Sequence, residues 1–517
     1  MKKIIALLLA VTGFAYTAVA QKIDSPQVKT ANGIVQGVVE ASGIHSFKGI
    51  PFAQPPVGDL RWKEPQQPKN WKGILHTDHF GPQAMQEPIY SDMMFRSNGK
   101  SEDCLYLNVW TPAKSPKEAL PVLVYFYGGG FRAGDGSEYR YDGESMAKHG
   151  VVAITINYRL GIFGCMAHPE LTKESPHHSS GNYGLMDQHA ALVWVQKNIA
   201  AFGGDPNKVT IAGESAGSMS VSAQVASPLS KGLFRGAIAE SGAVVGRQLP
   251  PLAVAEGFGL KFAAKIGAAS LADLRKIPAD SLLKLSESAQ FPQTIDGYFF
   301  PEQPNAIFAE GKQMHVPLLA GWNSAETDYH GIIGNDSATV DNYKKALTKL
   351  YHGNADAVFA AYPAANDADV KHIATDLSAD RFIVYSTWKF IDMQSKTSSK
   401  PVYNYIFGRV RQPVGGFKEP AMGATHSSEI EYALGNLSTN NAYTWTDDDY
   451  KVSNTMESYF ANFIKTGNPN GQGLAQWNAF NDNAQQAMWI DVNCKTIPIN
   501  NPKRFIFMDS LSSNQVH

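Results

Sequence analysis

Five consecutive residues, Gly213-Glu214-Ser215-Ala216-Gly217, carry the clearest chemical signal in the chain. A serine hydroxyl becomes a nucleophile once a base removes its proton. Val209 and Ile211 alternate with smaller neighbours as a strand does, and Ser218 to Val225 reads as the opening of a helix. The pentapeptide therefore falls on a strand-to-helix corner and matches G-x-S-x-G. On so sharp a corner the serine backbone is strained and its hydroxyl stands above the sheet edge. Side chains two residues before and two after would collide across the turn, which leaves Gly213 and Gly217 with hydrogen alone. The first N–H groups of the helix point toward the serine and favour negative charge developing beside it. By itself the pentapeptide is weak, because glycine and serine fill many ordinary turns; the flanking strand and helix make it specific.

A base, an acid to orient it and a donor site for an oxyanion must complete such a centre. The histidines downstream of Ser215 are His315, His330, His352, His372, His426 and His517. His426 stands out because it lies in a Gly- and Ser-containing loop, residues 423–428, after a strand, where catalytic groups are presented. His372 falls in a helical stretch and His315 just before a strand. For the acid, residues 318–326 run from an apolar strand into a polar turn, and chemistry alone leaves both Glu326 and Asp328 open. For the donor site, the apolar run Leu120 to Tyr127 leads directly into Gly128-Gly129-Gly130-Phe131, whose N–H groups can converge on a ligand oxygen.

The elements that must position these groups are legible around them. Leu105 to Trp110, Pro121 to Tyr127, Val151 to Asn157, Val209 to Ala212 and Phe234 to Ala239 are short apolar runs bounded by turn residues. Asp187 to Asn198 has helical spacing, and the order strand–helix–strand–corner–helix predicts a mainly parallel α/β sheet. Gly33 to Val39 and His45 to Ile50 suggest a hairpin. Farther on, Val254 to Ile266, Ser270 to Leu285, Tyr343 to Tyr351, Asp376 to Gln394 and Tyr450 to Lys465 read as helices, with Ser270 and Asp273 spaced as a capping box. Strands return at Val316 to Ala320 and Val402 to Phe407. No repeat and no long linker divides the chain.

With 517 residues, 44% hydrophobic and 18% charged, the chain can bury a sizeable core. Met1 to Ala20 has the three parts of a secretory leader: Lys2-Lys3, the apolar run Ile4 to Val11, and Ala18-Val19-Ala20 before Gln21. That run is too short to span a bilayer. The expectation is an exported protein, periplasmic or secreted, with no membrane span. Losing Lys2 and Lys3 with the leader takes the formal net charge from −2 to −4, which argues against nucleic acid or an anionic membrane as the main partner. Cys104, Cys165 and Cys494 have no metal-ligand spacing, and His177-His178 sits in a polar loop, so no metal is expected.

Several further stretches make the chain resemble the type-B carboxylesterases, a family that also contains the cholinesterases. They are Phe47 to Ala53 (FKGIPFA), Ser101 to Trp110 (SEDCLYLNVW), Tyr127 to Phe131 (YGGGF), Asn157 to Gly161 (NYRLG), Gly181 to Gln188 (GNYGLMDQ), Phe202 to Pro206 (FGGDP), the pentapeptide around Ser215, and Ala461 to Pro469 (ANFIKTGNP). The resemblance implies one α/β-hydrolase domain over residues 21–517 with helical insertions at about 250–290 and 335–398. It implies a triad of Ser215, Glu326 (from the family's Asn-x-x-Glu turn, rather than Asp328) and His426, with oxyanion donors on the N–H groups of Gly129, Gly130 and Ala216. No cofactor is implied; a small-molecule ester is the expected partner, and a monomer the expected state.

Two departures bear on substrate and stability. The family pairs the cysteine of its Glu-Asp-Cys-Leu motif with an earlier one, where this chain has Ala84; Cys104 is left unpaired, and a bond worth about 3 kcal/mol is absent. The cholinesterases also carry a tryptophan in that loop for stacking on a quaternary ammonium. Residues 85–100 contain none, which argues against choline esters; Met85, Met93, Met94 and Phe95 offer either an adaptable apolar wall or plain gap-filling. The same triad serves amidases, feruloyl or other phenolic ester hydrolases and polyester hydrolases, and some family members are non-catalytic adhesion proteins. With His426 in an ordinary environment, activity should fall in acid near pH 6.5, about the unperturbed imidazole pKa.

Overall fold

The computed structural model describes residues 25–417, 420–481 and 483–513; the expected leader lies outside the described residues. Among the described residues, eleven strands form one mixed sheet: β1 (Val38–Val39), β2 (His45–Pro51), β3 (Tyr106–Thr111), β4 (Leu120–Phe126), β5 (Val152–Ile156), β6 (Gly204–Glu214), β7 (Gly236–Glu240), β8 (Leu318–Asn323), β9 (Val402–Phe407), β10 (Gln486–Ile490) and β11 (Lys495–Pro498). The spatial order is β11-β10-β9-β8-β7-β6-β4-β5-β3-β2-β1. The centre, β5-β4-β6-β7-β8-β9-β10, is parallel; β3, β2 and β1 on one side and β11 on the other run antiparallel to their neighbours. Every residue of β5, β7 and β8 is buried, as expected of parallel strands covered on both faces.

Helix α1 (Tyr183–Asn198) precedes β6 and α2 (Ala216–Ala226) follows it; α2 packs on β6 and β7, and α1 lies against α2. Buried Gln188 ties the two helices by donating to Ser220 Oγ at 2.8 Å. Two ion pairs explain several of the distinctive motif residues. Arg159 grips Asp187 with Nε and Nη2 at 2.8 and 2.7 Å, anchoring the segment after β5 to α1. Arg61 grips Glu102 through Nε and Nη2, both at 2.6 Å, and its Nη1 donates to the Ile277 carbonyl at 2.7 Å. Such two-pronged pairs fix geometry as well as charge.

The helical segments follow with two corrections. After α3 (Leu252–Lys265), the single helix expected over Ser270 to Leu285 is two, α4 (Leu271–Lys276) and α5 (Ala279–Leu285). Pro278 cannot donate an N–H and restricts the residue before it, so the first helix stops at Lys276. Ser270 does cap α4, accepting from the Asp273 N–H at 3.2 Å. Beyond α6 (Val340–Tyr351), the expected helix Asp376 to Gln394 is longer and interrupted: α7 (Asp367–Ala379) and α8 (Tyr385–Thr397) flank a π-helical turn, Asp380–Val384. Residues 329–377 bury a second apolar cluster around Tyr343, Leu347, Tyr362 and Leu377. Helix α9 (Asp447–Thr466) packs against β4 and β6, and α10 (Lys503–Ser513) closes the described chain against α8.

The corner after β6 has no room to spare. A Cβ on Gly217 would lie 2.0 Å from the Phe126 carbonyl oxygen, and one on Gly213 would lie 2.6 Å from the backbone of Gly217. Backbone cannot retreat as a side chain does, so Gly217→Ala should destabilise the protein by about 3 kcal/mol or more. A urea midpoint unchanged from that of the wild type would contradict this close approach.

Candidate active site

The parallel strands end at one level, and their backbones continue to bond past those ends. Ser215 N–H donates to Glu240 O at 2.8 Å, Ser241 N–H to Gly321 O at 2.9 Å, and Ser324 N–H to Phe407 O at 2.9 Å. This staircase fixes the residues after β6, β7 and β8 relative to one another. Ser215 sits on it with φ +56° and ψ −118°, the strained conformation expected of the corner, at the residue preceding α2. The loop after β9 is laced to the turn after β8: Ala325 N–H donates to Ala424 O and Ala424 N–H to Ser324 Oγ, both at 2.9 Å.

That lacing delivers His426. Its Nδ1 lies 2.7 Å from Glu326 Oε2 and its Nε2 lies 2.9 Å from Ser215 Oγ. Three side chains spread over more than two hundred positions thus form one hydrogen-bonded line, and Ser215 and His426 stay partly exposed while Glu326 is buried. Asp328 is elsewhere, on the surface, bonding the His330 N–H at 3.0 Å. His315 faces the Gly311 carbonyl, and exposed His372 lies 4.0 Å from Asp376. His177 stacks on Tyr298 at 3.7 Å, and among the described residues no group of three His, Cys, Asp or Glu side chains is arranged to hold a metal ion.

The glycine loop lies against the serine: a Cβ on Gly128 would stand 3.2 Å from that of Ser215. Gly129 and Gly130 have φ of +110° and +63°, which glycine adopts without strain. Among the described residues, the N–H groups of Gly129, Gly130 and Ala216 donate to no protein acceptor. Met93 and Tyr90 reach the same loop, within 3.1 and 3.2 Å of where side chains on Gly129 and Gly130 would begin. So Met93 belongs to the site wall. A cavity of about 390 Å³ opens beside Gly130, lined by Met85, Ile89, Phe131, Ile162, Leu283 and Phe291 among others, with Arg132 at its edge. Leu283 brings the end of the 250–290 segment to this wall.

Sequence reasoning missed the support beneath the triad. Glu326 Oε1 accepts from Asn323 N–H at 2.6 Å and from Ser241 Oγ at 2.5 Å. Glu429 also takes part, accepting from Asn323 Nδ2 at 2.6 Å and Ser241 Oγ at 3.3 Å. The signals were present: Ser241 directly follows β7, next to the serine strand, and Glu429 lies three residues beyond His426. Glu214, inside the pentapeptide, puts Oε1 3.2 Å from His426 Nε2.

Three buried carboxyl groups, Glu214, Glu326 and Glu429, therefore act on one imidazole. Burial pushes Glu214 up to about 8 and, with the charge of Glu326, raises Glu429 to about 7. Glu240, buried beside Glu429 and Glu214, is held well above the carboxylate range. For His426, burial opposes the cation, but the charge of Glu214 and the hydrogen bond and charge of Glu326 outweigh it, and its pKa moves up to about 10. The condition for an acid limb near pH 6.5, an ordinary imidazole environment, is not met in this fold.

Residues 24–506 match the model of the carboxylesterase family. The chain is 37% identical over 484 residues to fumonisin B1 esterase of Sphingopyxis macrogoltabida, covering 89% of this chain and 86% of that protein. It is 35% identical over 482 residues to para-nitrobenzyl esterase of Bacillus subtilis, covering 90% and 94%. A solved structure of a PNB esterase superposes with a TM-score of 0.77 at 33% identity, covering 93% of this chain and 99% of the other. With the family model and these relatives spanning nearly the whole described chain, the protein belongs to the carboxylesterase family and is a carboxylic ester hydrolase of the α/β-hydrolase fold.

Proposed function

We propose that Ser215, His426 and Glu326 hydrolyse small or aryl carboxylic esters through an acyl-enzyme, in a protein exported by its first 20 residues. The observation that carries the mechanism is the unbroken line from Glu326 to His426 to Ser215, at 2.7 and 2.9 Å. Ser215 Oγ attacks the ester carbonyl as Nε2 of His426 takes its proton. Glu326 holds Nδ1–H and offsets the imidazolium, and is itself held by Asn323 and Ser241. The tetrahedral oxyanion takes the free N–H groups of Gly129, Gly130 and Ala216. His426 then protonates the leaving alcohol, activates a water and resets the serine. The cavity beside Gly130, with Met85, Ile89, Phe131 and Phe291 among its lining residues, supports a small or aryl substrate, as do the names of the fumonisin and para-nitrobenzyl esterases. The Lys2-Lys3 start, apolar run and small residues before Gln21 support export; the N-terminal sequence of protein recovered outside the cytoplasm should begin at Gln21, and one beginning at Met1 would contradict cleavage.

Ser215→Ala should keep the fold and lose nearly all hydrolysis of p-nitrophenyl acetate, along with labelling by an organophosphate. Activity near that of the wild type would end this reading. The pH profile tests the base. His426 must be neutral to accept the proton, and the surrounding carboxylates favour its cation. The acid limb of kcat/KM should therefore have its midpoint above the ordinary imidazole value of about 6.5. Glu214→Gln removes the largest of the upward influences and should move that midpoint down. A wild-type midpoint at or below 6.5, or an upward move in the variant, contradicts this account.

A further inference from the structure

The site has one wall whose position is set from far along the chain. Phe382 lies in the π turn Asp380–Val384, is 40% exposed, and packs edge-on against His426, with ring centroids 4.9 Å apart and planes at 77°. A π turn carries one extra residue, which swings the side chains beyond it by about 100° relative to an uninterrupted α-helix. The turn is pinned on several sides. Arg247 Nη2 donates to the Phe382 carbonyl at 3.2 Å, Ile383 packs over Gly242 beside the Ser215 carbonyl, and Ala243 N–H donates to Ser386 Oγ at 3.3 Å. Asp380, which opens the turn, is buried, and α10 reaches it: Arg504 places Nε 2.8 Å from Asp380 Oδ2 and donates from Nη1 to Asp376 at 3.0 Å. Tyr362 OH donates to Asp380 as well, at 2.8 Å. On the other side of the turn, Phe505 stacks on Trp388 with centroids 5.0 Å apart, and Asp509 meets Tyr385 OH and Lys389 Nζ at 2.6 and 2.7 Å.

We propose that Phe382 is the wall that reads the alcohol portion of the ester, and that Arg504 of the last helix is a positioning residue that holds this wall through Asp380. The assignment to the alcohol side rests on the proposed role of His426. Its Nε2 must hand a proton to the leaving oxygen, so the alkoxy group departs past the imidazole, along the exposed ring packed on it. The acyl group stays on Ser215, and its deacylation does not involve the departed alcohol.

Acetate esters of different alcohols share one acetyl-enzyme, so an alcohol-reading wall acts on acylation alone. Phe382→Ala should lower kcat/KM for p-nitrophenyl and 2-naphthyl acetates about tenfold, the scale of one lost aromatic contact, and leave methyl acetate within about twofold. Single-turnover deacylation should not change, and p-nitrophenyl esters of rising acyl length should all lose the same factor. An equal loss for every alcohol, or a loss that scales with acyl length, overturns the assignment. Arg504→Gln should reproduce the alcohol-dependent pattern and Arg504→Lys an intermediate one. If Arg504→Gln does not fold, the lysine variant decides. Arg504 variants that lose thermal stability but keep the wild-type alcohol profile overturn the positioning role. A wild type that hydrolyses none of these esters marks a failure of the triad reading instead.

Discussion

The site depends on the way each parallel strand end bonds to the next. Ser215, Ser241 and Ser324 each donate their N–H to the neighbouring strand, beyond where regular pairing stops. A serine at φ +56° is held in a costly conformation, and one hydrogen bond to Glu240 would not hold it alone. The carbonyl of Phe126 closing over Gly217 leaves that backbone no alternative. Once those ends are fixed, Glu326 and the loop bearing His426 have a single surface to build on. The hydrogen-bonded line is thus a product of sheet register more than of the loops that contribute its side chains.

Charge is the second organising constraint. Glu214, Glu326 and Glu429 are buried and act on one imidazole, Glu240 is buried beside Glu214 and Glu429, and the four are not satisfied alike. Glu326 accepts from three donors, His426, Asn323 and Ser241, while Glu240 has neither oxygen hydrogen-bonded. Burial raises the pKa of Glu240 and of Glu214 above the ordinary carboxyl range. In the proposed reaction, negative charge beside His426 would stabilise the imidazolium that forms during attack, at the expense of a base that is harder to keep neutral.

Much of this was legible in the chain. The central strands β4 to β9 announce themselves as apolar runs, because a parallel strand buried on both faces has no polar side to blur the signal. Ser215 stands out in the sequence by its corner and His426 by its loop. Glu326 and Asp328 are two residues apart and chemically alike; only the family turn separated them, and the structure shows Glu326 on His426 and Asp328 at the surface. The break at Pro278 should have been read, since proline's effect is local. The π turn at Asp380–Val384 could not be, because nothing in a helical run of side chains reports one extra residue per turn. Ser241 and Glu429 were hidden for another reason: Ser241 meets Glu326 across 85 positions and Glu429 meets Asn323 across 106, and no short pattern spans such distances.

All three cysteines are unpaired, and Cys104 is a buried thiol whose pKa lies well above the ordinary thiol value because of its burial. Close by, the Arg61 to Glu102 and Arg159 to Asp187 pairs fasten the same region without a covalent bond. A protonated, enclosed thiol is a poor partner for oxidants or for exchange. Among the described residues the fold is therefore held at this point by charge and packing, with no covalent link for a reductant to break.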